Sequence, residues 1–286
     1  MPSIRRSFTK LLLLVAVVAP NSALAQTPQT SQQGPPSPAS QSKAQKRVSS
    51  HDSVVVSAKL APEEAEEGRL NDVYQEVYNI ERSHDCEKAV EKYQTAVIPM
   101  ADSSKFPVPR SKFLFLAYRG IGYCYLSEKR YADAEQMFQK LFEYFPLWPG
   151  TDDSAYAINY RSIGEARMLQ QHWKEAEEAL QKAVTLGDGE IERATKSDSE
   201  FMRGEHANNL RMSQDLALNL LAAVYFREQR SAEALKLLER AYEQATRFHA
   251  PPKVVRQIVD TGLGISQSAG EVKAMAVWFG RSAITK

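Results

Sequence analysis

The densest cluster of reactive residue types in this chain is Ser83-His84-Asp85-Cys86. Nucleophilic centres and zinc sites use these side chains, since a thiol or hydroxyl needs a nearby base and zinc takes sulfur, nitrogen and carboxylate ligands. Position argues against both readings. The run falls between two stretches of helical periodicity, where Ser and Asp are favoured as helix caps because their oxygens accept orphaned backbone N–H groups. The five histidines, His51, His84, His172, His206 and His249, show no metal-ligand spacing such as H-E-x-x-H. No phosphate-binding loop, nucleophile elbow or dinucleotide fingerprint is present. The run "VDTGLGISQS" around Gly262 has the composition of a glycine loop but lies inside a helical pattern, and "DGE" at 188–190 is too short for a calcium loop and reads as a turn after a helix. The expectation is a chain with no catalytic residue, no metal and no cofactor: not an enzyme.

The two cysteines, Cys86 and Cys124, fall on neighbouring helical elements. In an exported chain two cysteines often pair, yet the periodicity sets these about one helical turn out of step. The sequence leaves a disulfide and two free thiols both open.

Export itself is expected from the first residues. Arg5, Arg6 and Lys10 precede an apolar run from Leu11 to Ala19, and Ala23-Leu24-Ala25 has the small-residue form of a cleavage site. This is the pattern of a bacterial-type secretory signal peptide over residues 1–25. The run is about half the roughly 20 apolar residues a membrane span needs, so the mature chain is expected to be periplasmic or secreted, without membrane insertion. Residues 26–57 are rich in Gln, Pro and Ser and cannot bury enough apolar surface to offset their ordering entropy, so they read as a disordered tether. Residues 58–286 form the folded region. The whole chain carries a formal net charge of +1, and loss of the signal peptide takes it to about −2. A near-neutral chain lacks the basic surface that nucleic acid requires.

The helices that would position any site repeat along the chain. An alanine followed four residues later by a bulky side chain recurs as Ala89/Tyr93, Ala134/Phe138, Ala176/Leu180, Ala234/Leu238 and Ala274/Trp278, and twelve residues upstream of the last four alanines stand Gly122, Gly164, Ala222 and Gly262. The first copy has Val77 there. Two antiparallel helices approach closely only where side chains are small, so Gly122 and Ala134 are expected to face each other, with "SEKR" as the turn and Pro146 ending the second helix.

The copy with Tyr118, Ile121, Gly122, Tyr125, Ala134, Phe138 and Pro146 resembles the tetratricopeptide repeat family, whose signature is W-x2-L-G-x2-Y, then A-x3-F, then P. The copies with Tyr160, Ile163, Gly164, Ala176 and Leu180, and with Leu218, Leu221, Ala222, Tyr225, Ala234 and Leu238, resemble it too, although Arg167 replaces the aromatic in the former. The anchor alanines lie 45, 42, 58 and 40 residues apart, longer than the usual 34. In this the chain is similar to longer-repeat members of the kinesin-light-chain kind. The resemblance implies an all-α, right-handed superhelical array of about five antiparallel helix pairs, with repeats near 70–103, 115–148, 157–190, 215–248 and 255–286.

In such an array the first helix of each pair lines the concave side. The resemblance therefore implies a non-catalytic interaction module that binds a peptide or protein segment through Arg119, Tyr123, Leu126, Arg161, Glu165, Asn219 and Phe226. Arg119 and Arg161 share one register position, and their guanidinium forks suit carboxylates. The carboxylate clamp of Lys and Asn residues found in some family members is not reproduced here. The alternative is a structural or assembly subunit of a cell-envelope complex. The sequence names neither the partner nor the oligomeric state.

Overall fold

The structure is a computed structural model that describes residues 61–147 and 153–284. The expected signal peptide and tether lie outside the described residues, as does Trp148. Helix α1 spans Pro62–Arg82. Its partner α2, Cys86–Lys92, continues through a π turn, Tyr93–Val97, into α3, Ile98–Asp102. Pro99 cannot accept a regular helix around it, because it lacks an N–H and its ring crowds the carbonyl four residues back; the π turn just before it accommodates that defect. Next come α4 (Pro107–Ser127) with α5 (Tyr131–Lys140), α6 (Asp153–Leu169) with α7 (Trp173–Lys196), α8 (Ala207–Arg227) with α9 (Ser231–Arg247), and α10 (Pro252–Ala269) with α11 (Val272–Ile284). A second π turn, Met202–His206, leads into α8. Among the described residues there is no strand.

One turn design joins the two helices of every pair. Two residues before each second helix stands a left-handed residue: His84 (φ 65), Lys129 (φ 63), Gln171 (φ 67), Gln229 (φ 66) and Gly270 (φ 71). In the last four turns the following N–H closes back onto the helix, from Arg130 to the Tyr125 carbonyl (2.8 Å), His172 to Arg167 (2.9 Å), Arg230 to Tyr225 (2.9 Å) and Glu271 to Ser266 (2.9 Å). This is the six-residue closure of a Schellman motif, which satisfies carbonyls the helix end leaves orphaned. Only the last turn uses glycine, the residue that tolerates this backbone. Gln229→Gly is therefore expected to stabilise the fold by roughly 0.5–1 kcal/mol, the left-handed strain relieved less glycine's extra chain entropy, read as a rise in melting temperature.

The run from Ser83 to Cys86 is such a turn. The Asp85 carboxylate accepts from the backbone N–H of Lys88 at 3.3 Å, capping α2.

Pairs interlock differently from the face-to-face small residues expected above. Gly122 meets Phe138, not Ala134: a β-carbon on Gly122 would lie 2.6 Å from the Phe138 ring. Likewise Gly164 receives Leu180 (2.5 Å) and Gly262 receives Trp278 (2.5 Å). Each glycine is the hole for the bulky residue one turn beyond the anchor alanine, and the small alanine, fully buried at 134 and 176 and half-buried at 274, lets that turn sit close. Gly262 is thus a packing glycine inside α10.

Two further expectations need correction. Pro146 does not end α5, which stops at Lys140 and passes into 3-10 turns at Leu141–Glu143 and Phe145–Leu147. The cause is aromatic: Phe145 is buried with its ring 5.4 Å from Phe115, 5.6 Å from Phe142 and 4.4 Å from Tyr156, and the tighter turns fold it under. The segment 188–190 is not a turn but lies within α7. There Gly187, Glu190 and Ala194 are buried, and Ala194 packs with Ala207 and Leu210 at the start of α8. The long insertion in this copy is absorbed by lengthening both helices together, α8 being preceded by helical backbone from Glu200.

Successive pairs are tied by arginines that reach a glutamate on the preceding pair: Arg167 to Glu135 (2.7 Å), Arg230 to Glu177 (2.8 Å) and Arg281 to Glu239 (2.5 Å). Arg167, the departure from the aromatic signature, has this structural use. Where the aromatic is kept, an arginine stacks on it, Arg130 on Tyr125 at 3.9 Å and Arg230 on Tyr225 at 3.6 Å.

Candidate protein-binding groove

The first helices α1, α4, α6, α8 and α10 each present one register position fifteen residues before the anchor alanine, and Tyr74, Arg119, Arg161, Asn219 and Val259 occupy it. One turn further stand Tyr78, Tyr123, Glu165, Ala223 and Leu263. Helical period places both positions on one face, and contacts between neighbouring pairs bring them into a row.

At the N-terminal end the row is closed by its own bonds. Arg119 donates to the Tyr74 hydroxyl and stacks over Phe115 at 5.4 Å. The Tyr93 hydroxyl donates to Glu81 Oε2 at 2.6 Å, and Tyr74 stacks on Tyr78 at 5.7 Å. Burial works against the Arg119 guanidinium, but Tyr74, Tyr123, Glu81 and Tyr93 outweigh it and hold its pKa above the ordinary value. Burial likewise raises the pKa of Glu81, against the opposing pull of Tyr93 and Arg119. Arg119 therefore has partners inside the protein. Arg119→Ala should lower the melting temperature, because it strips the opposite charge from the half-buried Glu81. Tyr74, Tyr78 and Glu81 escaped the sequence reading, which took Tyr93 only as the packing partner of Ala89; yet Tyr74 stands before Ala89 as Arg119 stands before Ala134, and extending the weak first copy would have found it.

In the middle the row is less satisfied. Arg161 is 9% exposed; its Nη2 reaches the Tyr123 hydroxyl only at 3.5 Å and its Nε has no partner. Tyr123 is also 3.2 Å from Ser162 Oγ. Glu165 is half-buried, and desolvation raises its pKa while Arg161 pulls it down. Asn219 is 1% exposed, with both amide atoms lacking partners. Leu126 is half-buried; Phe226, at 8% exposure, belongs to the core of the C-terminal pairs rather than to open surface. The structure thus sets Arg161 at 3.5 Å from the Tyr123 hydroxyl, whose charge Arg119 also feels, sets Glu165 beside Arg161, and draws Phe226 inward.

A cleft of about 670 Å³ opens elsewhere, lined by Tyr156, Tyr160, Glu178, Gln181 and Lys182 among others, and shares no residue with this row. Among the described residues no group of three His, Cys, Asp or Glu could hold a metal ion, and no helix is long and apolar enough to cross a membrane.

One buried charge lies outside the row. Asp215 on α8 is 1% exposed and accepts from Gln244 Nε2 at 2.8 Å. Its carboxyl is pushed up to about 8 by burial, against the Gln244 bond and the charges of Arg240 and Arg211. The folded state then holds a proton that the unfolded chain releases near pH 4, so this group's stabilisation is complete below that pH and is lost as pH rises toward 8. Asp215→Asn, which keeps the acceptor and removes the charge, should raise the melting temperature by several degrees at pH 8 and flatten its dependence between pH 4 and 8, measured by thermal denaturation across that range.

These features define an all-α solenoid of tetratricopeptide-like helix pairs. Residues 113–187 match the family model described as tetratricopeptide repeat; they run from within α4 to the middle of α7. No curated protein matches the sequence. Two crystal structures of nearly identical TPR-like repeats from a Podosopora anserina protein of kinesin-light-chain type are similar in fold. One is a single-substitution form with a TM-score of 0.55, the other has 0.53, and each is 13% identical over 77% of this chain and 95% of that one. The crystal structure of BtubC (BKLC) from P. vanneervenii, 13% identical, covers 79% of this chain and 91% of its own with a TM-score of 0.57. The repeat fold suggests protein partners.

Proposed function

We propose that this chain is an exported, non-catalytic interaction module that holds a peptide or protein segment against the face formed by its first helices. The observation that carries this reading is the set of polar groups left unmatched in mid-row: the Asn219 amide and the Arg161 Nε. A buried polar group without a partner costs about 1–3 kcal/mol. A peptide bond brings one donor and one acceptor together, which is what a primary amide needs, and an acidic side chain matches Arg161. Export is supported by the order Arg5, Arg6, Lys10, the Leu11 to Ala19 run and Ala23-Leu24-Ala25. Secreted protein beginning at Gln26 would agree with it, and secreted protein retaining residues 1–25 would not.

The groove reading is tested by a photo-crosslinking amino acid placed at position 123 or, as control, at the exposed Gln139. Crosslinks to another polypeptide from 123 but not 139 are expected, and the reverse would refute the groove. A second reading, a structural subunit of an envelope assembly, is favoured by the exposed Val272 (69%), Val277 (50%) and Phe279 (68%) on α11. A monomeric mature chain by light scattering supports the groove binder, and a stable oligomer the subunit.

A further inference from the structure

The two cysteines, one turn out of step by sequence spacing, meet in the structure. Cys86 is the first residue of α2 and half-buried; Cys124 lies in the last turn of α4 and is 1% exposed. Ser127 Oγ donates to the Cys124 carbonyl at 2.7 Å and is 3.3 Å from Cys86 Sγ, so the Cys86 sulfur sits over the turn that carries Cys124. The Cys86 thiol is near enough to that of Cys124 to help raise its pKa. Both are held by helix ends whose neighbours, Ala89 and Ile121, are fully packed.

We propose that Cys86 and Cys124 are an oxidative modification site at which a disulfide donor closes a covalent bond between the first and second helix pairs. Cys86 is the entry thiol because it is partly exposed, whereas Cys124 is buried. Its thiolate attacks one sulfur of the donor disulfide, whose S–S bond breaks and whose departing thiolate takes up a proton. Cys124 then loses its proton to solvent and attacks Cys86 Sγ, expelling the second donor thiol. Two protein thiols are oxidised and one donor disulfide is reduced to two thiols. Burial, then the adjoining Cys86 thiol, push the Cys124 pKa far up, with Glu81 and Glu128 adding to it; the second step is therefore the slow one and the mixed disulfide is a visible intermediate. The bond would fasten α2 to α4 beside Glu81, and so fix the end of the row where Tyr74, Glu81 and Arg119 meet. The bland account, two small side chains that merely pack, predicts no such exchange.

The test uses the full chain, reduced, then incubated with oxidised glutathione at about pH 8, alkylated and weighed intact. The expected result is a transient glutathione adduct on Cys86 that resolves to a monomer lighter by about two mass units, refractory to alkylation. Digestion should yield a linked Cys86–Cys124 peptide, and the melting temperature should exceed that of the reduced chain by several degrees, a rise absent in Cys86→Ser. A persistent glutathione adduct, two alkylated thiols, or a crosslink between two chains would each overturn the proposal.

Discussion

Ala134→Leu is expected to destabilise the fold by about 1–3 kcal/mol, the cost of forcing extra methylenes into a filled core. Ala134 is fully buried on α5, one turn before Phe138, whose ring lies against the bare α-carbon of Gly122 on α4. A leucine at 134 has nowhere to go unless the turn lifts, and lifting it withdraws Phe138 from its hole. Gln139→Leu, on the exposed side of the same helix, should be nearly neutral. Gln139 gives up only a surface bond to Glu135 at 2.9 Å. Thermal melts of the two variants check the pairing; equal melting temperatures would mean that Ala134 does not lie at the α4–α5 contact.

The second expectation separates binding from stability. Asn219→Leu removes an amide whose two polar atoms are buried without partners and replaces it with an apolar side chain of similar volume. Desolvation of that amide is unrewarded in the free protein, so the variant should melt at the same temperature or higher. The same change removes the group proposed to pair with a peptide bond. Loss of such a pair costs about 1–3 kcal/mol, roughly ten- to a hundredfold in affinity. Adding Arg161→Ala should weaken binding further for acidic segments in particular, with a steeper loss at low salt, where charge attraction is least screened. A core residue with no binding role would show the opposite pattern, lower stability and unchanged binding.

Much of the architecture was legible because its signals are local. The alanine and bulky residue four apart, with a small residue twelve upstream, mark both helices of each pair, and the turns announce themselves as short polar runs such as "SEKR". What spacing could not show is which small residue meets which large one: that depends on how antiparallel helices slide, and the slide puts Gly122 on Phe138. Nor could it show that α5 would yield to 3-10 turns, since that follows from Phe145 joining Phe115, Phe142 and Tyr156 across three helices. The insertion after Ala183 was ambiguous because Gly187 and Gly189 suggest a break, whereas Gln214 packs on Gly187, where a β-carbon would lie 3.1 Å from it. For the candidate site, sequence register placed Arg119, Tyr123, Arg161 and Glu165 on one helical face but could not give the state of each side chain. Arg119 and Arg161 occupy equivalent positions, yet one is ringed by Tyr74, Glu81 and Tyr93 while the other keeps an unpaired Nε. That difference comes from the preceding pair, Tyr74 on one side and Tyr123 on the other, and is invisible to a repeat-by-repeat comparison. The cysteines are the same case: one turn out of step by spacing, in contact once α2 packs on α4.

The measurement that tests the central claim most directly is selection of a displayed random-peptide library on the purified chain, followed by affinities of the selected peptides for the parent, Asn219→Leu and Gln139→Leu. The groove account predicts extended peptides carrying acidic residues, bound at least about tenfold more weakly by Asn219→Leu and equally by Gln139→Leu. Peptides bound alike by the parent and Asn219→Leu, yet lost in Gln139→Leu, would contradict it.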